Sequence, residues 1–173
     1  MGLKFKMRYG QIRKYDVANG PGIRTSIFFT GCPFKCKGCF NEKYQSFSSG
    51  NLWTKSEENK LFEYLSSEHI SGLSVLGGEP LAQGDELLGL LKRVRQRFKK
   101  SVWLWSGFEF EHLDSNQLKI LEYVDVLVDG LFVVEKKDLK LKFRGSSNQR
   151  VIDLKKTRDC SKVVIWDGIK PGQ

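Results

Sequence analysis

The sequence has no long apolar run, no internal repeat, no low-complexity tract and no linker-like stretch. No segment approaches the roughly 18 to 20 unbroken apolar residues that a membrane-spanning helix needs. Residues 1–6 carry neither the apolar core of a signal peptide nor the Ser/Thr at position 6 that myristoylation uses. The expectation is a cytoplasmic protein with no membrane partner. Cysteine is scarce, four in all, yet three of them fall within eight residues. Four cysteines in a small secreted chain would read as two disulfides. Three crowded into one loop read instead as metal or cluster ligands in a reducing compartment.

Across 173 residues, 40% hydrophobic and 28% charged side chains suit one folded domain, 1–173, with a real core. Lysine and arginine outnumber acids 29 to 20, a net charge of +9. Apart from Lys92, Arg93, Arg95, Arg97, Lys99 and Lys100 the basic residues are dispersed, and that cluster reads as a solvated helix face. No nucleic-acid partner is expected.

Apolar and basic residues alternate over 3–9, the pattern of a half-exposed strand. After the Asn19-Gly20-Pro21-Gly22 turn, residues 23–30 read as a strand buried on both faces. Thr54 with Glu57 forms a capping box for a helix whose stripe is Leu61, Phe62 and Leu65. Strands follow at 73–76, 102–105 and 126–128. Between them lie an amphipathic helix carrying Leu87, Leu91, Val94 and Phe98 and another helix over 115–123. A last strand is expected over 162–166. The alternation predicts an α/β fold with a mostly parallel sheet, too short for a closed eight-stranded barrel. Binding sites in such sheets gather at the carboxyl ends of the strands. Gly31-Cys32, Gly77-Gly78-Glu79-Pro80, Ser106-Gly107 and Asp129-Gly130 all fall there, a coincidence that core packing does not require.

Within the loop over 31–40 the spacing is C-x3-C-x2-C: Cys32, Cys36 and Cys39. Three thiolates can hold three irons of a cubane and leave the fourth iron open to a chelating ligand. The competing reading is a zinc site completed by Cys160, His69 or His112. Structural zinc more often uses C-x2-C, and the second pair of a ribbon or finger is missing.

That spacing after a strand resembles the radical S-adenosylmethionine (SAM) superfamily, and the Gly-Gly-Glu-Pro segment resembles its second motif. The resemblance implies a partial, open (βα) barrel, one [4Fe-4S] cluster and SAM bound at the open iron. Reductive cleavage of SAM would give methionine and a 5′-deoxyadenosyl radical. By the same resemblance Gly38, Cys39, Phe40, Gly77, Gly78, Glu79 and Asp129 are candidates for SAM contact. The aromatic that usually precedes the third cysteine is replaced by Gly38, and Phe40 follows it instead.

Residues 103–107 (Trp-Leu-Trp-Ser-Gly) and 144–149 (Arg-Gly-Ser-Ser-Asn-Gln) are more specific. With Asn19 to Gly22, Arg24 and residues 126–130, they resemble the activating protein of anaerobic (class III) ribonucleoside-triphosphate reductase. The implied activity is that of a glycyl-radical-enzyme activating oxidoreductase. It would take a hydrogen from a glycine Cα of the reductase's large catalytic subunit, with an electron donor as second partner. Pyruvate formate-lyase activase and small-molecule radical SAM enzymes are the alternatives. The segment over 144–152 is family-specific, with Arg144, Asn148 and Gln149 as candidate partner contacts and the face around Arg93 and Arg97 as a second. Arg24 must find a partner or point into the site. Trp103 and Trp105 read as core or face-covering aromatics, Cys160 as a buried free thiol, and the two histidines carry no expectation.

Overall fold

The computed structural model describes residues 6–168. Seven strands form one sheet in the order β3-β1-β2-β4-β5-β6-β7: β1 Arg8–Asp16, β2 Arg24–Phe29, β3 Asn51–Leu52, β4 Gly72–Gly77, β5 Ser101–Trp105, β6 Val126–Asp129 and β7 Arg150–Asp153. Four helices accompany it: α1 Lys55–Ser66, α2 Asp85–Arg97, α3 Ser115–Leu121 and α4 Leu154–Cys160. None is long and apolar enough to cross a membrane.

The parallel part is the central β2-β4-β5-β6 block, while β1 and β7 pair antiparallel at its flanks. A parallel neighbour needs a helical crossover, and α1, α2 and α3 supply three. Residues 130–149 contain no α-helix, so β7 returns antiparallel. The sheet is therefore open and mixed, with the expected parallel strands at its centre.

Alternation along the strands separates two faces. Ile27, Phe29, Val75, Leu104, Leu127 and Ile152 pack on the helices, against Leu61 and Leu65 of α1 and Leu87, Leu91 and Val94 of α2. The opposite face carries Phe28, Leu76, Trp103 and Trp105, roofed in part by Tyr44, Phe143 and Trp166.

The Thr54–Glu57 capping box closes the amino end of α1 as expected. Of the alternation over 3–9, residues 3–5 lie outside the described residues, and Arg8 and Tyr9 open β1. Nor is 162–166 a full strand. Ile165 makes a single bridge to Ile152, and β7 with α4 precedes it. Cys160, at the end of α4, is exposed rather than buried.

The basic stretch of α2 is more than a solvated face. Arg93 holds the buried Glu58 of α1 through two bonds of 2.9 and 2.6 Å, and Arg95 pairs with Asp125 at 2.7 Å. Lys100 donates to the Ser67 and Ile70 carbonyls. Arg93 thus ties α2 to α1, while Arg95 and Lys100 tie the end of α2 to the loops that lead into β6 and β4.

Candidate active site

Where the central strands end, their loops surround a cavity of about 530 Å³ on the face away from the helices. Cys32, Cys36, Cys39 and Phe40 line it together with Gly77, Gly78, Glu79, Ser106 and Gly107. Segments more than 70 positions apart in sequence thus meet at one end of the sheet. No residue of α1 or α2 lines it, so the Arg93 and Arg97 face lies on the other layer.

Each of the thiols is half-buried. Burial pushes the Cys32 thiol up to about 11, and Glu79, Cys36 and Cys39 add in the same direction. Burial raises Cys36 too, helped by Cys39. Iron binding must therefore displace protons from these sulfurs. Among the described residues no group of three His, Cys, Asp or Glu side chains converges on a point where one metal ion would sit. Zinc would need such a point. A cubane has a separate iron for each cysteine, so it suits three soft donors set around a cavity. His69 and His112 are exposed, and neither lines the cavity.

Glu79 is buried beneath the site, 1% exposed. Its Oε1 accepts from Leu81 N at 2.9 Å and its Oε2 from Gly107 N at 2.8 Å. Burial pushes this carboxyl up to about 7, against the pull of those two N–H groups and of the Ser106 hydroxyl. The side chain thus ties the β4 loop to the β5 loop. Gly107 is glycine for a reason of contact: a Cβ there would lie 2.6 Å from the Phe34 ring, which sits between the first two cysteines. Gly78 is constrained in the same way. A Cβ at that position would meet the Gly31 carbonyl at 2.6 Å and the Tyr44 carbonyl at 2.7 Å. Close backbone packing beside Cys32 already demands glycine there, whatever ligand approaches.

The remaining site residues divide. Gly38 is exposed beside Val134, and Phe40 packs on Phe132 with ring centroids 5.0 Å apart. Asp129, a candidate for SAM contact, is turned away from the cavity. Its carboxylate takes Arg150 Nε at 2.9 Å and Phe110 N at 2.8 Å, and Arg150 also grips Glu111. Gln149 holds its own loop. Its Oε1 accepts from Gly145 N and Ser146 N, and its Nε2 donates to the Gly130 carbonyl. Asn148 donates to Leu131 O, and Arg144 to Gln149 O. The polar run over 144–149 is thus used internally to shape one wall of the cavity.

The sequence marks Trp105 as a core or face-covering aromatic of the sheet. Its indole N–H also donates to Phe143 O at 2.7 Å. Phe143 has a φ of 61°, costly for a residue with a Cβ. No sequence signal marks Phe143 for that conformation.

Comparison with known proteins supplies the family. Residues 18–152 match the family described as a 4Fe-4S single cluster domain. The anaerobic ribonucleoside-triphosphate reductase-activating protein of Vibrio cholerae is 43% identical over 148 residues, covering 83% of this chain and 96% of its own. The chain belongs to that family. Its counterpart in Enterobacteria phage T4 is 41% identical over 84% of this chain and 93% of its own length, and that of Escherichia coli 37% over 86% and 100%. As a family member the chain carries a 4Fe-4S cluster domain.

Proposed function

We propose that this reductase-activating family member is a radical SAM activase, a single cytoplasmic domain built as a partial, open (βα) barrel. On this reading it generates the glycyl radical of an anaerobic ribonucleoside-triphosphate reductase. One observation carries the reading: three thiols share a cavity with the Gly-Gly-Glu-Pro and Trp-Ser-Gly loops at the carboxyl ends of parallel strands.

Cys32, Cys36 and Cys39 would hold the cluster, and Gly77, Gly78 and Glu79 the amino acid end of SAM, with Phe40 at the rim. When bound, the pair would supply, from one electron spent in cleaving SAM, the acceptor for a hydrogen atom from a glycine Cα of the reductase's large subunit. The chain's own residues prepare the place. Glu79 fixes the β4 and β5 loops to each other, while Phe28, Phe34, Leu76 and Phe132 line the cavity with apolar surface that sheds water. Among the described residues the cavity stays open at its mouth, so a large substrate that seals it suits this chemistry better than a small molecule. The large subunit and a separate electron donor are the proposed partners, and neither nucleic acid nor a membrane is one.

Anaerobic reconstitution should give about four irons with matching sulfide. Cys32→Ala, Cys36→Ala and Cys39→Ala should each abolish the cluster, and Cys160→Ala should retain it. Reduced protein with SAM and a class III large subunit should show a glycyl radical by electron paramagnetic resonance, with 5′-deoxyadenosine released. Stoichiometric zinc without sulfide, or a radical formed on pyruvate formate-lyase but not on the reductase, would defeat this assignment.

A further inference from the structure

Two segments meet at the cavity mouth: the loop over 35–43 and the loop over 131–142. Gly38 lies against Val134, Phe40 against Phe132, and Lys137 Nζ sits 4.9 Å above the Phe40 ring. Their outer surface combines two properties. It shows apolar side chains to solvent, with Leu139 81% exposed, Phe40 55% and Leu131 41%. It is also basic. These two stretches hold Lys35, Lys37, Lys43, Lys136, Lys137, Lys140 and Lys142 against Glu42, Glu135 and Asp138, seven charges to three. Arg93 and Arg95 of α2 are engaged with Glu58 and Asp125, whereas Lys35, Lys37, Lys136 and Lys140 stand exposed on the two segments that carry Phe40 and Leu139.

We infer that this rim is a docking surface for an acidic protein segment that presses an apolar side chain between Phe40 and Leu139. Resting on the function proposed above, the inference assigns that segment to the reductase subunit carrying the target glycine. An apolar anchor ringed by charges of one sign is how a protein surface gains affinity and selects a partner of the opposite sign. The position chooses between the two partners. Whatever binds on this rim covers the cavity, which a glycine-bearing segment must enter and an electron donor must leave free.

The test uses cluster-loaded protein, SAM, dithionite as reductant and the class III large subunit, so that no protein donor is needed. Leu139→Asp and the double variant Lys136→Glu with Lys140→Glu should keep the parent's iron content. Each should bind the reductase about tenfold or more weakly and lose glycyl-radical yield in step. Parent affinity should fall as salt rises, more steeply than that of the charge-reversed variant. Leu118→Asp, at a 41% exposed leucine of α3, should behave as the parent. Parent-like affinity and radical yield in both rim variants would overturn the inference while leaving the activase function standing. So would a deficit that appears only when a protein donor replaces dithionite, which would give the rim to the donor. Failure of the parent itself to radicalise the reductase would remove the proposed function and this inference together.

Discussion

Two buried charges sit at opposite ends of the same sheet, and neither is neutralised by a direct ion pair. At the amino ends of the central strands Arg24 is fully enclosed. Its five N–H groups go to Ser74 Oγ, Ser101 Oγ, Pro21 O, Leu73 O and Ser101 O. At the carboxyl ends Glu79 spends its two oxygens on two backbone N–H groups from different loops. Burial lowers Arg24 to about 10, leaving it charged at any working pH, and lifts Glu79 to about 7, where it titrates. One end of the sheet is locked by a saturated cation. The other is held by a carboxylate whose charge is marginal, and the cavity lies there. The comparison teaches that both charges serve as multi-point backbone clamps, with strength set by how many bonds each satisfies.

The sharpest way to break the comparison is at Arg24. Arg24→Met keeps the length of the side chain and removes every donor. The Leu73 and Ser101 carbonyls and the Ser74 hydroxyl would lose a buried partner, and each orphaned group costs roughly 1 to 3 kcal/mol. A loss of about 3 kcal/mol or more is expected, read as a lower urea midpoint with an unchanged slope. Arg24→Lys offers three donors without the planar fork and should recover only part of it. Stability within about 0.5 kcal/mol of the parent would mean that the clamp contributes nothing net.

A smaller effect, and one that depends on pH, is expected at the other end. A carboxyl whose pKa is raised on folding ionises more readily in the unfolded chain. Its contribution to stability is therefore complete below the unfolded value and declines as pH climbs to the folded one. For Glu79 that window runs from 4.5 to about 7, below the about 11 at which Cys32 titrates. Cluster-free protein should lose stability on the order of 3 kcal/mol across it. Glu79→Gln should remove that slope. It should also loosen one of the two loops, since an amide has one acceptor where two N–H groups need two. Urea unfolding of both proteins across the window measures the slope, and equal slopes would count against burial as the cause of the shift.

Much of this contrast was legible in the residues themselves. The central strands announced themselves as apolar runs, Thr54 with Glu57 marked the start of α1, and the strand–loop boundaries placed the four motifs at one end. The three cysteines could be grouped with Gly78 and Glu79 before any coordinates, because α/β topology brings strand ends together. What stayed hidden was short, polar or dependent on tertiary partners. β7 was masked because Arg150–Asp153 looks like the tail of a polar loop, and β1 because only Asp16 of its residues is buried. Asp129 reads as a site residue until Arg150, 21 positions on, turns its carboxylate away. Arg24 needed the register of β2 against β4 to reveal which groups it meets. Asn148 and Gln149 looked free to meet a partner because local side-chain-to-backbone bonds leave no periodic trace.

The least disruptive test sharpens the difference within the cavity end itself. Glu79 fixes the β4 and β5 loops, and the wall formed by 131–149 is held to β5 by the Trp105 indole N–H on Phe143 O. Phe143 holds its left-handed backbone with that bond as support, and its ring packs on Trp103 at 5.3 Å. Trp105→Phe keeps an aromatic against Phe28, Tyr44 and Leu76 while deleting the donor. The expected cost is about 1 kcal/mol globally, a Tm drop of about 2 to 4 °C for a chain of this size. The local effect should be larger than the global one, because the freed loop can relax Phe143 without unfolding the sheet. Hydrogen exchange should therefore quicken at Lys136, Lys137 and Ser147, whose amides bond within that wall, and stay unchanged at the β2 and β4 amides. Uniform acceleration across both would show that the wall and the sheet open as one unit, and the distinction between a clamped loop pair and a lightly latched wall would be lost.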